Sequence, residues 1–518
     1  MSFTTKTYLH QNLMLLIVSL ALMSCNEPKD LIADSGTNLC ESIHRNDSLS
    51  LSKELISLKD SMKTKTGVYV LEDGSGSMVA RAWLTEYAEE TINIQYFIFS
   101  TDNVGLIACD YLVRAADRGV TINIIVDDIM VNAGIQDILT LNSHENINIK
   151  IYNPGVNLGK NLFRKVQKIA TDFRSANQRM HNKTLIVDNK VVITGGRNIA
   201  DEYFDYDHEY NFRDRDVLLI GKSTKDVGRS FFEFWNDSLC VPVTDLNTDS
   251  ARNVTDPNRF ERLHEYACNP ENFWPQVRKR IKNLPTEFKS IVSSGKLKWI
   301  ENVSFVSDAP GKNDGTKGLG GGGRTTSNLV KLVKEAKKSI DIQTPYLITT
   351  DESRVLFKAA IDRGVRIRIL TNSLASTDNL EAFASYQSDR KLLLATGVQI
   401  FEFRPDAEER TKIMTGELHE TLDHMPIFGL HAKSMVVDSN ITVIGTFNLD
   451  PRSTNLNTEC ITIIPSSEIA ESVLKGMEIE FSPENSWSIS AESNPDSIVD
   501  ITKRINTWTR KVLPKAIL

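Results

Sequence analysis

The chain has 518 residues, 41% of them hydrophobic and 25% charged, with a formal net charge of −7. That length and composition can bury large cores and suit a soluble enzyme of two similar domains beyond the first residues. The acidic balance gives no support for a dedicated nucleic-acid binder, which is usually basic overall.

Residues 1–24 read as a targeting segment. Lys6 and His10 precede an apolar run from Leu13 to Met23, too short for a helix across a bilayer core of ~30 Å. The run ends Leu22, Met23, Ser24, Cys25, which resembles a bacterial lipobox and would make Cys25 the lipidated mature N-terminus. An ordinary cleaved signal peptide or an uncleaved anchor is the alternative. The expectation is a membrane-associated bacterial lipoprotein on the periplasmic or outer-surface side; Asn26, not Asp, follows, and the membrane stays open. Without Cys25, the five cysteines Cys40, Cys109, Cys240, Cys268 and Cys460 remain, an odd number for an oxidising compartment. Cys109 and Cys460 lie in apolar patterns and read as core thiols. A bridge among Cys40, Cys240 and Cys268 is open.

Residues 25–64 suggest a tether ending in a short helix packed on the first domain. Ala80 to Glu90 then suits a helix, Thr91 to Phe99 a strand, Leu106 to Arg118 a helix and Val120 to Asp127 a strand. Strands separated by helices imply a parallel-rich α/β sheet. The order repeats: SIDIQTPY at 339–346 answers TINIQYF, and IDRGVRIRILTNS at 361–373 answers ADRGVTINIIVDD at 116–128. The expected domains are 65–240 and 296–480, with a connecting segment at 241–295 of no catalytic role and a basic amphipathic tail at 481–518.

One motif occurs in both halves, RMHNKTLIVDNKVVITGGRN at 179–198 and GLHAKSMVVDSNITVIGTFN at 429–448. The spacing is HxKxxxxD, and His181 to Asn198 and His431 to Asn448 span the same 17 positions. Residues two apart on a strand share a face, so His181 with Lys183, and His431 with Lys433, each present a base and a cation together. That pair suits an anionic phosphate.

MHNK, GGRNIADEYF, LTNSLASTDN, LHAK and FNLDPRSTNLNTE resemble the phospholipase D superfamily, and within it the cardiolipin synthases of the bacterial C type, from about Gly67 onward. The resemblance implies an α/β fold of two phospholipase D-like domains, each a mixed sheet flanked by helices. Their motifs would meet in one cleft about a pseudo-twofold axis. It implies His181 as nucleophile, a protonated His431 opposite it as acid and then base, and Lys183, Lys433, Asn198 and Asn448 around the phosphate. The unperturbed His pKa of about 6.5 puts both protonation states within reach. The scheme calls for no metal or other cofactor.

Aligning FRDRDVLLI with NLNTECITI matches Asp216 to Glu459. In the family a carboxylate there orients the imidazole of its own half, so Asp216 is expected on His181 and Glu459 on His431. Asp188 and Asp438, at the far ends of their strands, are expected to be structural.

Three further stretches leave alternatives open. Gly320 to Gly323 reads as a loop near the cleft or a linker. Lys160, Arg164, Lys165, Lys168, Arg174 and Arg179 attract anionic headgroups or form a solvated face. ITKRINTWTRKVLPKAIL at 501–518 reads as an interfacial segment or a helix packed on the second domain.

The resemblance implies phospholipid substrates, phosphatidylglycerol with phosphatidylethanolamine as a possible donor, a membrane surface as partner and no nucleic acid. It leaves the oligomeric state unknown. Phosphatidyl transfer forming cardiolipin and hydrolysis to phosphatidic acid share every catalytic residue; a nuclease and a noncatalytic scaffold are the remaining readings.

Overall fold

The computed structural model describes residues 38–42, 49–128, 135–155, 177–246, 258, 260–312, 319–410 and 425–518. The targeting segment with Cys25, and Lys160, Arg164, Lys165, Lys168 and Arg174, lie outside them.

The first half contributes β1 (Thr66–Leu71), β2 (Thr91–Tyr96), β3 (Thr121–Asp127), β4 (Ile147–Tyr152), β5 (Thr184–Val187), β6 (Val191–Gly195), β7 (Tyr210–Arg213), β8 (Asp216–Gly221) and β9 (Cys240–Pro242), followed by β10 (Lys298–Ile300). The second contributes β11 (Ser304–Ser307), β12 (Ser339–Gln343), β13 (Arg366–Asn372), β14 (Gln399–Phe403), β15 (Ile427–Leu430), β16 (Ser434–Val437), β17 (Ile441–Gly445), β18 (Cys460–Pro465) and β19 (Ser486–Ile489). One sheet runs β10-β1-β8-β6-β5-β2-β3-β4-β9, the other β11-β18-β17-β16-β12-β13-β14-β19. From β8 to β9 and from β18 to β19 the two orders are the same, with parallel pairs β2-β3-β4 and β12-β13-β14 at the heart of each.

In TINIQY and SIDIQ, Ile alternates with polar residues, so each strand buries one apolar face. Ile92 and Ile94 pack with Val79 and Leu112 from the helices Gly74–Glu86 and Asn103–Asp117. Ile340 and Ile342 do the same beneath Arg324–Glu335 and Asp351–Asp362. A third core joins the halves: Val217 and Phe231 of the first pack with Val436 and Met477 of the second. A buried ion pair crosses the same boundary, with Arg213 Nε 2.5 Å from Glu480 Oε1, and Arg215 Nη1 donates across it to Ser434 Oγ at 2.9 Å. Removing one partner of such a pair costs about 3–5 kcal/mol.

Several boundaries differ from expectation. The first helix starts at Gly74, not Ala80, because Asp73 caps it, accepting from Gly76 N, and this outweighs the poor helix formers in GSGS. Lys298–Ile300 pairs with β1, and so extends the first sheet although it lies beyond residue 296. Ser486–Ile489 pairs with β14, so the second domain runs past 480. At the N-terminal end, Leu51 and Leu55 are buried in the first core and Cys40 is bonded to Cys268 of the connecting segment. Cys240 and Cys460 are buried thiols and Cys109 is half-buried.

Candidate active site

Each motif histidine is zipped beside a strand of the opposite half. Met180 bridges Thr458 in parallel; His181 N donates to Thr458 O at 3.0 Å and Thr458 N to Arg179 O at 2.9 Å. In the other half β15 runs parallel to β7, and His431 N donates to Arg213 O at 2.8 Å. The preceding residues are pinned at the ends of equivalent strands. Asp127 Oδ2 accepts from Met180 N at 2.8 Å, and Asn372 accepts from Leu430 N and donates to Leu430 O, both at 2.8 Å.

The next residue along each opposing strand is a carboxylate. His181 Nδ1 lies 2.8 Å from Glu459 Oε2, and His431 Nδ1 lies 2.6 Å from Asp214 Oδ2. An imidazole that donates Nδ1–H to a carboxylate keeps Nε2 as its reactive nitrogen. Thr446 Oγ1 also donates to Glu459 Oε2.

This corrects two expectations. Glu459 orients His181, not His431, and Asp216 touches neither imidazole. Asp216 accepts from Ser77 Oγ at 2.8 Å, Arg81 Nη2 at 2.9 Å and Arg197 N at 3.2 Å, and so ties the helix Gly74–Glu86 to β8. The carboxylate the sequence alignment passed over is Asp214. In the sheets Gly195 pairs with Asp216 and Gly445 with Ile461, which makes Asp214 the counterpart of Glu459. The alignment was two residues out of step. A shift of two keeps every side chain of a strand on its own face, so alternation could not reveal it.

The lysines lie beside their histidines. Lys183 Nζ donates to His181 O at 3.0 Å; Lys433 Nζ donates to His431 O at 2.7 Å and lies 3.1 Å from that residue's ring nitrogens. Asn198 Oδ1 accepts from Ile98 N at 3.1 Å, while Asn448 Oδ1 is buried and unpartnered. Aromatic edges wall both imidazoles, Phe97 against His181 and Tyr203 against His431, each at 5.0 Å. Asp188 accepts from the backbone N–H groups of Glu89, Glu90 and Thr91, and Asp438 from those of Lys337, Lys338 and Ser339; both stand at the ends of their strands away from the histidines. Gly320 to Gly323 leads directly into the helix Arg324–Glu335. A side chain at Gly323 would collide with Asp308, whose Oδ2 accepts from Glu459 N at 3.1 Å. Close packing fixes the end of that run against the site.

Burial dominates the electrostatics. It lowers His181 well below its ordinary value, with Lys183 and Lys433 adding to the effect. His431 falls to about 3 through burial and Lys433, against the pull of Asp214. Burial brings Lys183 down to about 7, with Lys433 adding to it, and Lys433 down to about 8 against Asp214 and Glu459. Glu459 is pushed up to about 7 by burial, partly offset by Thr446 and Lys183. For Asp214 burial acts upward too, yet His431 and Lys433 outweigh it and hold the carboxyl below its usual range. Each lysine thus acts on both imidazoles: the two motifs form one electrostatic site, whose bases shed protons that an entering phosphate anion would restore.

Comparison with known proteins identifies the family. The domain family described as "Cardiolipin synthase, PLD-like domain" matches residues 84–235 and 329–479. Cardiolipin synthase C of Escherichia coli (strain K12) is 33% identical over 416 residues, 79% of this chain and 83% of that protein. An uncharacterized protein of Helicobacter pylori (strain ATCC 700392 / 26695) is 31% identical over 420 residues, 81% of this chain and 80% of that one. Phosphatidylserine synthase of Haemophilus influenzae Rd KW20 shares the fold, with a TM-score of 0.54 at 14% identity, covering 90% of this chain and 100% of that one. The chain belongs to the cardiolipin synthase, phospholipase D-like family, and is a phosphatidyltransferase of the phospholipase D type.

Proposed function

We propose that the enzyme forms cardiolipin from phosphatidylglycerol and a second phospholipid through a phosphohistidine. The observation that carries this is the pair of buried imidazoles, each oriented through Nδ1 by a carboxylate of the other half, with a lysine beside each and both lysines acting on both rings. Nε2 of His181 attacks phosphorus, and the leaving alcohol takes a proton from His431. The glycerol hydroxyl of phosphatidylglycerol then gives its proton to His431 and displaces His181. Two features favour this division of roles. His181 is held neutral, as a nucleophile must be, while His431 faces Asp214, whose carboxyl stays ionised and supports an imidazolium once the phosphate is bound. Phosphatidylethanolamine is the expected second donor, as the C-type resemblance implies.

The same reading places the enzyme at a membrane, lipidated at Cys25, on the periplasmic or outer-surface side. The Cys40–Cys268 disulfide supports an oxidising compartment, and an exposed apolar stripe in the tail supports contact with lipid.

The test supplies purified protein with phosphatidylglycerol and phosphatidylethanolamine, alone and together, and resolves the products by mass. Cardiolipin formed by the wild type and not by His181→Ala is expected, with the mixtures identifying the donor. Phosphatidic acid without cardiolipin would replace the synthase reading with a hydrolase.

A further inference from the structure

The two halves repeat the same sheet under a pair of helices, yet they fill the space between differently. In the first half the layer beneath Gly74–Glu86 and Asn103–Asp117 leaves about 60 Å³. In the second, beneath Arg324–Glu335 and Asp351–Asp362, a cavity of about 630 Å³ remains. The floors are equivalent, since Ile94 registers with Leu185 and Ile342 with Met435.

Three differences open the second space. Tyr96, buried at the end of β2, lines the small void; the residue in its place after β12 is Thr344. The helix Asn103–Asp117 has 15 residues and its counterpart Asp351–Asp362 has 12, a loss of roughly 4.5 Å of helix. Finally, the connecting segment presses on the first pair: Phe273 and Ile281 line its void and Phe288 stacks on Trp83 at 4.6 Å. On the second pair Val355 is left 69% exposed.

The enlarged space is mainly apolar, with Val330, Val333, Leu356, Phe357, Met435 and Ile461 in its walls, and Lys433 is among the residues that line it. An empty cavity destabilises a fold in proportion to its volume, whereas one of about 300–1,000 Å³ suits a small ligand. We propose that this cavity holds one acyl chain of the phospholipid whose phosphate lies at Lys433, which rests on the lipid-transfer reading above. The chemistry fits: a phospholipid joins unbranched apolar chains to one phosphate anion, and this cavity joins apolar walls to a lysine of the motif.

The test uses phosphatidylglycerol with a diazirine at the end of an acyl chain, bound to the full-length His181→Ala protein and photolysed, with crosslinked peptides mapped by mass. Adducts within residues 324–335 or 351–362 are expected; adducts confined to other segments overturn the proposal. In parallel, wild-type KM is compared for monomeric dihexanoyl and dioctanoyl phosphatidylglycerol. The two added methylenes of one buried chain should lower it roughly tenfold. In Val330→Trp and Leu356→Trp that ratio should fall towards one, while kcat on the dihexanoyl lipid persists. An unchanged ratio sinks the cavity assignment alone; a wild type that turns over no phospholipid sinks the lipid-transfer reading instead.

Discussion

His181 Nδ1 and Glu459 Oε2 lie 2.8 Å apart across a sequence separation of 278 residues, and His431 answers with Asp214 at a separation of 217. Neither half therefore holds a complete histidine–carboxylate pair of its own. Docking the halves assembles both, and this explains why the strands beside the histidines are paired across the boundary rather than within a half.

The crossed pairing separates Asp214 from Asp216 experimentally. Asp214→Asn and Glu459→Gln should each slow turnover by on the order of 10²–10⁴-fold, as expected when a buried carboxylate that fixes a catalytic imidazole is neutralised. Asp216→Asn should act chiefly on stability, because its partners are Ser77, Arg81 and Arg197. Thermal unfolding and kcat measured on all three would expose an error if Asp216→Asn, still folded, lost as much activity as Asp214→Asn.

How much of this was legible beforehand follows from what each signal depends on. The twin HxKxxxxD and the repeated strand–helix order are local patterns, and both halves carry them intact. Asp214 was hidden because the loops after Asn198 and Asn448 differ in length, and two acidic residues on one strand face fit the alternation equally well. The short β19 has no counterpart motif, so Ser486–Ile489 read as tail. The acyl-sized cavity depends on which side chains and helix lengths fill a layer, a three-dimensional quantity that periodicity does not carry.

The lowered histidine sets a direction for acid stability. With His431 at about 3 in the fold and about 6.5 in the unfolded chain, the unfolded state binds the extra proton between those values, so stability falls as pH drops through 6.5. His431→Gln lacks this group. Urea unfolding at pH 7.5 and pH 5 should show the variant gaining about 2 kcal/mol on the wild type at the lower pH. Parallel losses in both proteins would contradict a neutral buried His431.

Asp188 and Asp438 complete the shared motif at the strand ends away from the histidines. Each carboxylate collects three backbone N–H groups at the start of a parallel strand, from a residue with φ of 50° or 53°. Asp438→Ala should cost about 1–3 kcal/mol by leaving those donors without their acceptor. The kcat of the folded fraction should stay within a few-fold of wild type. A large loss of kcat at unchanged stability would assign Asp438 to the reaction after all.

The tail packs on the second domain, as one of the two readings of its sequence expects. Thr507 is buried, Arg510 Nε donates to Glu381 Oε1 at 2.7 Å, and the helix Ile501–Thr509 is thereby fixed against Leu380–Leu394. Its other side leaves Ile501, Ile505, Trp508 and Val512 at 62%, 53%, 69% and 84% exposure, spaced so that they form one stripe beside Arg504 and Lys511. Such a stripe on a rigidly held helix suits insertion into a headgroup layer rather than solvent. Ile505→Ser with Trp508→Ser should weaken sedimentation with anionic phosphatidylglycerol vesicles by at least tenfold, because each side chain withdraws about 1.5–3 kcal/mol of apolar burial. Turnover of monomeric dihexanoyl phosphatidylglycerol should be unaffected, since neither residue lies among those of the cleft. Undiminished vesicle binding would place the membrane contact elsewhere on the molecule, whereas loss of turnover on the monomeric lipid would mean that the tail supports the fold of the second half.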